Sequence, residues 1–362
     1  MDASLFDYPL SPDRIAQKSM EPREAAKLLV LDRTSGKITD KTVGDLPDLL
    51  KAGDLLVFND SKVFKARLSA TVSSQYSRDV GLKVEIFLLR PDGDTWMAMA
   101  KPGKKLHTGT RLLFQDGTKA TVLGKRDDGT IDLDFNMAAG RVFGLADSYG
   151  EVPVPPYVEP TAENTSNYQT IYAKNIGSVA APTAGFHFTE ELFGKLEAKG
   201  VKRAFVTLHV GVGTFRPIKT ETLEAHDMHE EWVDVPESTR RMIEETKQNG
   251  GRVIVVGTTA MRALESSANN ELRIANNESS EAKFDIRHSS FEHQAGFTKI
   301  FITPGYEFKV ADGLITNFHL PKSTLIVLVS SFAGREHVLE AYKHAIENDY
   351  RFYSFGDAML IV

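Results

Sequence analysis

The 362-residue chain has no cysteine. Disulfides, thiolate metal sites, iron–sulfur clusters and a cysteine nucleophile are therefore excluded. Long apolar runs are missing too. The longest, Leu325 to Val329 followed by Ser330, Ser331, Phe332 and Ala333, falls well short of the roughly 18 residues that a membrane span needs. Charge of one sign does not dominate: 43 Lys and Arg face 49 Asp and Glu, a formal net charge of −6. That argues against non-specific coating of nucleic acid but leaves room for a local basic patch. The opening Met1-Asp2-Ala3-Ser4-Leu5-Phe6-Asp7-Tyr8-Pro9 is acidic and broken by proline, unlike a basic leader with an apolar run, so a cytoplasmic protein is expected. What remains, 41% apolar and 25% charged residues, is an ordinary globular composition. At this length two domains are the expectation.

The first 60 residues read as part of an α/β unit. Lys27 to Asp32 is a short apolar run, Leu46 to Leu50 one amphipathic turn, and Asp54 to Asp60 a buried strand ending in polar groups. After about residue 64 the texture changes to short strands at 84–89, 95–99, 111–114, 118–123 and 130–135, separated by Asp-Gly turns, with no clear helix. This spacing predicts a small β-barrel or sandwich, ending at Val152-Pro153-Val154-Pro155-Pro156. From about 185 helices and strands alternate. Thr189 and Gly200 fit the two caps of one helix, Pro236 to Asn249 is a second, and Arg335 to Asn348 shows a helical apolar period. Strands are expected at 204–210, 252–256 and 299–302, and a polar surface insertion at 269–292. The predicted fold class is α/β. Both chain ends (1–63 and 153–362) build a domain with a mixed or mostly parallel sheet, and 64–152 is an inserted β-barrel-like domain. Two sequential domains divided near 150 is the alternative.

Several segments are fit for chemistry. Gly257-Thr258-Thr259 runs from a strand into a helix, where glycine admits a ligand and the helix start offers free N–H groups; it fits a tight connecting turn as well. His209-Val210-Gly211-Val212-Gly213-Thr214-Phe215 lacks the third glycine of a dinucleotide fingerprint, so structural glycines are the better reading. His226 and His229 have metal-compatible spacing on a helix, but the following Trp232 to Pro236 reads as extended, and no metal is expected. Ser323 fits a helix cap, whereas His319 beside it has no evident structural task. The aromatics, Arg351 and Asp357 near the C-terminus suit either base stacking or core closure. Between Met97 and Gln115 lie Lys101, Lys104, Lys105, His107 and Arg111 with no acid, which suits a phosphate-contacting face or a solvated one.

Taken together these segments resemble the S-adenosylmethionine:tRNA ribosyltransferase-isomerases of queuosine biosynthesis. The matching stretches are Leu55 to Ser61, Val152 to Tyr157, Tyr168 to Ala173, Gly177 to Thr189 and Thr207 to Phe215. They continue with His226-Asp227-Met228-His229 and Glu231, Val256 to Thr259 with Arg262, Glu265 and Ser266, Pro304-Gly305, and Ile315 to Thr324. Tyr350-Arg351-Phe352 with Gly356 to Met359 completes the set, in the family's order across the chain. Where the family has Arg-Asp-x-Ser-Arg-Leu-Leu, this chain has Arg23-Glu24-Ala25-Ala26-Lys27-Leu28-Leu29, and Lys62 replaces a usual arginine. Lysine keeps the charge but not the bidentate fork.

The resemblance implies transfer and isomerisation of the ribosyl moiety of S-adenosylmethionine onto a 7-aminomethyl-7-deazaguanine base in tRNA. The products are epoxyqueuosine-tRNA, adenine and methionine. S-adenosylmethionine is then a consumed substrate and tRNA the partner, with no cofactor, no metal, no membrane, and a monomer expected. Such chemistry needs a base near the sulfonium-acidified C5′–H, an acid or donor at the departing adenine, and donors facing sugar oxyanions. The expected catalytic residues are His209 and His319, as bases, with Asp60 or Asp357 assisting adenine departure. Candidate substrate contacts are Asn59, His187, Gly211, Thr214, His229, Glu231, Gly257, Thr258, Thr259, Arg262, Asn317 and Arg351. Thr258, Thr259 and Arg262 are candidates for holding the methionine carboxylate or sugar hydroxyls. Lys101, Lys104, Lys105 and Arg111 are expected to meet tRNA phosphates. Two competing readings are an S-adenosylmethionine-dependent RNA methyltransferase, which an early Gly-x-Gly loop would have favoured, and a non-catalytic RNA-binding paralogue.

Overall fold

The computed structural model describes residues 1–73, 79–211, 213, 217–269, 272 and 294–362. The strands are β1 (Lys27–Leu31), β2 (Ile38–Thr42), β3 (Leu55–Asn59), β4 (Ser61–Val63), β5 (Arg67–Val72), β6 (Lys83–Asp92), β7 (Thr95–Lys101), β8 (Arg111–Phe114), β9 (Lys119–Lys125), β10 (Ile131–Asp134), β11 (Asn175–Ser178), β12 (Lys202–Leu208), β13 (Glu231–Val235), β14 (Val253–Val256), β15 (Gln294–Thr298), β16 (Gly313–Asn317) and β17 (Ala358–Ile361). The helices are α1 (Leu46–Leu49), α2 (Ala139–Tyr149), α3 (Ala162–Asn167), α4 (Glu190–Ala198), α5 (Glu237–Gln248), α6 (Thr258–Ala268), α7 (Thr324–Ala333) and α8 (Arg335–Glu347).

Nine strands form one sheet in the order β15-β13-β12-β3-β14-β16-β17-β1-β2. Its centre, β12-β3-β14-β16, is parallel, and antiparallel pairs begin at β13 on one side and β17 on the other. The sheet is thus mixed. Leu55 and Val57 of β3 pack into the core shared with α6, α7 and α8, while Leu56 and Phe58 pack into the core shared with α1 and α4. Burial on both faces explains the unbroken apolar run of this strand.

The α/β reading with a small barrel holds. Six strands close into an antiparallel barrel, β10-β7-β6-β5-β8-β9, with its own core of Leu68, Ile86, Trp96, Leu112, Val122 and Leu133. The expectation of no helix in this region is corrected by α2, whose Val142, Leu145 and Ala146 pack into the barrel core. Gly140 and Gly144 interrupt its apolar period and masked it. A strand at 299–302 is also corrected: the ladder lies earlier, at β15. Ile300 and Ile302 are buried in the core of the large sheet without joining it. The polar insertion falls almost wholly outside the described residues.

Candidate active site

Parallel strands leave their carboxyl ends on one edge, and ligands bind there in open α/β sheets. In this protein the ends of β14 and β16 open into a cleft with about 620 Å³ of empty space, its mouth included. Gly257, Thr258, Thr259, Thr316, Asn317, His319 and Ser323 line it with Tyr157 and Tyr353. Among the described residues that line it, none is Asp, Glu, Lys or Arg.

Each polar side chain has a traceable setting. Gly257 adopts φ +89, turning the chain from β14 into α6, and no side chain caps the helix. The Thr259 hydroxyl is buried without a partner. Ser323 caps α7, accepting from the Ile326 amide at 3.3 Å and donating to Leu320 O at 2.8 Å. His319 Nε2 lies 2.8 Å from Thr316 Oγ1. Its backbone is clamped: its N–H donates to the Tyr342 hydroxyl at 3.0 Å, and its carbonyl accepts from Tyr8 Oη. Burial lowers the His319 pKa to about 3, so its ring is neutral. Asn317 donates from Nδ2 to Tyr353 O at 3.1 Å and lies 3.3 Å from His187 Nε2. Its Oδ1 is buried and unpartnered. Burial, then Arg351 and Arg23, lowers the His187 pKa to about 4. Tyr353 holds φ +70, a conformation that non-glycine residues keep only where their surroundings force it.

Other candidates are placed elsewhere. Asn59 is fully buried and splices β3 to β12, donating to Leu208 O and accepting from Leu208 N, both at 3.0 Å. Asp60 does not line the cleft; its carboxylate accepts from Thr207 Oγ1 at 2.6 Å and Asn175 Nδ2 at 3.1 Å. Asp357 is buried in the C-terminal turn, accepting from Lys27 N, Arg351 N and the Arg351 guanidinium at 2.7–3.2 Å. Arg351 also donates to Lys18 O at 3.1 Å. His209 stacks on Trp232, with ring centroids 5.0 Å apart, and its Nδ1 is buried without a partner. Burial lowers its pKa to about 4. Arg262 turns from the cleft into a buried ion pair with Glu231, which also accepts from Gly211 N at 2.9 Å. His229 is exposed in the connection before β13 and stands against Gly213. Thr214 lies outside the described residues.

The barrel cations lie on separate elements. Lys101 ends β7 and Arg111 begins β8, strands separated by β6 and β5 around the barrel. Lys104 and Lys105 lie in the crossing between them, and Lys105 pairs with Asp79 at 3.1 Å. Sequence reasoning missed a more uniform surface on β8 and β9. Alternation turns Arg111, Leu113, Lys119, Leu123 and Lys125 outward, all exposed, with Leu112, Val122 and Phe114 inward. The period of two was legible, but the pairing of these strands was not.

The cleft lies at the strand ends of an α/β sheet, the place where small ligands bind in folds of this class. A family model described as "Queuosine biosynthesis protein" matches residues 3–361. A solved structure, the S-adenosylmethionine tRNA ribosyltransferase of Thermotoga maritima, is 35% identical, with 99% of this chain and 100% of that chain covered and a TM-score of 0.54. The chain belongs to the queuosine biosynthesis family.

Proposed function

We propose that this protein is an S-adenosylmethionine:tRNA ribosyltransferase-isomerase. It moves the ribosyl moiety of S-adenosylmethionine onto the aminomethyl group of a 7-deazaguanine base in tRNA, releasing adenine and methionine. The observation that carries the reading is a cleft with aromatic walls, uncharged among its described lining residues, at the strand ends of a family member. A sulfonium cation is accommodated there beside the rings of Tyr157 and Tyr353, and the neutral His319 does not repel it.

The residues divide the work as follows. His319 takes the C5′ proton, with Thr316 holding Nε2 and the two tyrosine contacts fixing the backbone. Once an anion forms on the sugar, the imidazolium is electrostatically favoured, which raises the basicity that burial suppresses. Asn317 and the N–H groups at the start of α6 supply neutral donors and acceptors that need no rearrangement. Asp60 and Asp357 act in this scheme by holding strand ends and the C-terminal turn in place, and His209 by stacking on Trp232 at the end of β12. RNA phosphates meet the barrel, at Lys101, Lys104, Lys105 and Arg111 and along the β8–β9 face.

One incubation with S-adenosylmethionine and tRNA carrying the aminomethyl base tests the activity. Adenine release with an epoxycyclopentane mass gain on the tRNA is expected. S-adenosylhomocysteine with a methyl mass gain would establish methyl transfer instead.

A further inference from the structure

α6 and α7 both start in the cleft, but they differ there. Ser323 occupies the start of α7. α6 has no side-chain cap, and its first internal bond runs from Met261 N to Gly257 O at 3.1 Å. The amides of Thr258, Thr259 and Ala260 therefore lack an intrahelical acceptor and carry the positive end of the helix dipole.

Two side-chain atoms extend this asymmetry. Thr259 is 7% exposed, lines the cleft, and its hydroxyl has no partner. Asn317 is 3% exposed and lines the same cleft. Its Nδ2 is committed to Tyr353 O, which fixes the amide orientation, so the orphaned atom is the acceptor Oδ1. The two sites are neighbours. Val256 and Ile315 are in register on adjacent strands, and Gly257 N donates to Ile315 O at 2.8 Å. Continuing each chain by two residues brings the start of α6 beside Asn317. A bundle of donors thus stands next to an unpartnered acceptor, all uncharged, and Arg262 is turned away into its pair with Glu231.

A ligand that satisfies both has an anion and a cationic donor a few ångströms apart. We propose that the start of α6, with Thr259 and Asn317, is a head-group subsite for a zwitterionic α-amino acid. The carboxylate accepts from the α6 amides and Thr259 Oγ1, and the ammonium donates to Asn317 Oδ1. This rests on the reading that the cleft holds S-adenosylmethionine and gives that substrate a direction. Its methionyl end lies on α6, and its adenosyl end lies toward Tyr157 and Tyr353. The subsite makes the protein selective for the intact amino acid.

The test compares S-adenosylmethionine with its decarboxylated form in adenine release, and L-methionine with L-methioninol in direct calorimetric binding. Losing charge-assisted hydrogen bonds should lower kcat/KM for the decarboxylated substrate by about 30-fold or more. L-methionine should bind and compete with S-adenosylmethionine, and L-methioninol should bind at least tenfold more weakly. Thr259→Val should shrink both preferences and Thr259→Ser should restore them, with thermal unfolding confirming that each variant folds. Equal use of the two substrates, or equal binding of methionine and methioninol, overturns the subsite. If no adenine is released from S-adenosylmethionine, the proposed activity fails, and the calorimetric arm still decides the subsite.

Discussion

Gly177 and His209 fit together only because position 177 has no side chain. A Cβ there would stand 2.5 Å from Nε2 of the imidazole, and Gly177 holds φ +153, outside the range side chains tolerate. Gly177 thus closes one side of the ring that Trp232 covers by stacking. Gly177→Ala should cost about 1–3 kcal/mol and displace the ring. Trp232 is one of 2 tryptophans, so its fluorescence in a Trp96→Phe background reads the displacement. An unchanged spectrum and melting temperature would show that the ring has room to move.

The two histidines once equal as candidate bases are now unequal, since only His319 lines the cleft. Single-turnover adenine release should fall by about 10²–10⁴-fold in His319→Ala. It should fall much less in His209→Ala. The reverse order would assign the proton transfer to His209.

Burial holds His187 at about 4 and His319 at about 3, against an ordinary 6.5. The unfolded chain therefore binds more protons between about 6.5 and these lower values. Stability from these groups is complete above about pH 7 and is lost as pH falls, by up to about 1.4 kcal/mol per pH unit for each group. Urea unfolding at pH 7.5 and pH 5 should show this, and His187→Gln should reduce the difference. An identical difference in the variant would remove His187 from the account.

The Arg262–Glu231 pair is buried on both sides. Removing only Arg262 takes the guanidinium away from a buried carboxylate, and Arg262→Leu should destabilise by about 3–5 kcal/mol. The double variant Arg262→Leu, Glu231→Leu should lose less than the sum of the two single changes. Strict additivity in denaturant titrations would show that the charges are not coupled.

Replacing Arg111, Lys119 and Lys125 with Gln should lower the salt slope of tRNA binding by about 2–3, near one unit per lost phosphate contact. The matching change of Lys101, Lys104 and Lys105 tests the opposite part of the barrel end. Whichever triplet leaves the slope unchanged does not contact the RNA phosphates.

The contrast between legible and hidden features follows from range. Period, caps and turns are local, so β3, the Thr189 and Ser323 caps and α8 were readable from neighbouring residues. α2 was not, because two glycines broke its pattern while the barrel core supplied what held it. β2 was not, because all its residues but Ile38 are polar and exposed and only pairing with β1 makes it a strand.

The site divides in the same way. The segment chemistry identified the family and the strand-end residues Gly257, Thr259, Asn317 and His319. It did not distinguish polar groups facing a ligand from those tying the fold together. Asp60, Asp357, Asn59 and Arg262 have the residue types of a catalytic site, yet their partners are Thr207, Arg351, Leu208 and Glu231. The sequence by itself determined the absence of cysteine chemistry and where the polar turns fall. Only the tertiary structure decided which buried polar atoms are left unsatisfied. That depends on long-range hydrogen bonds, and Thr259 Oγ1 and Asn317 Oδ1 are among the buried atoms such bonds leave unsatisfied.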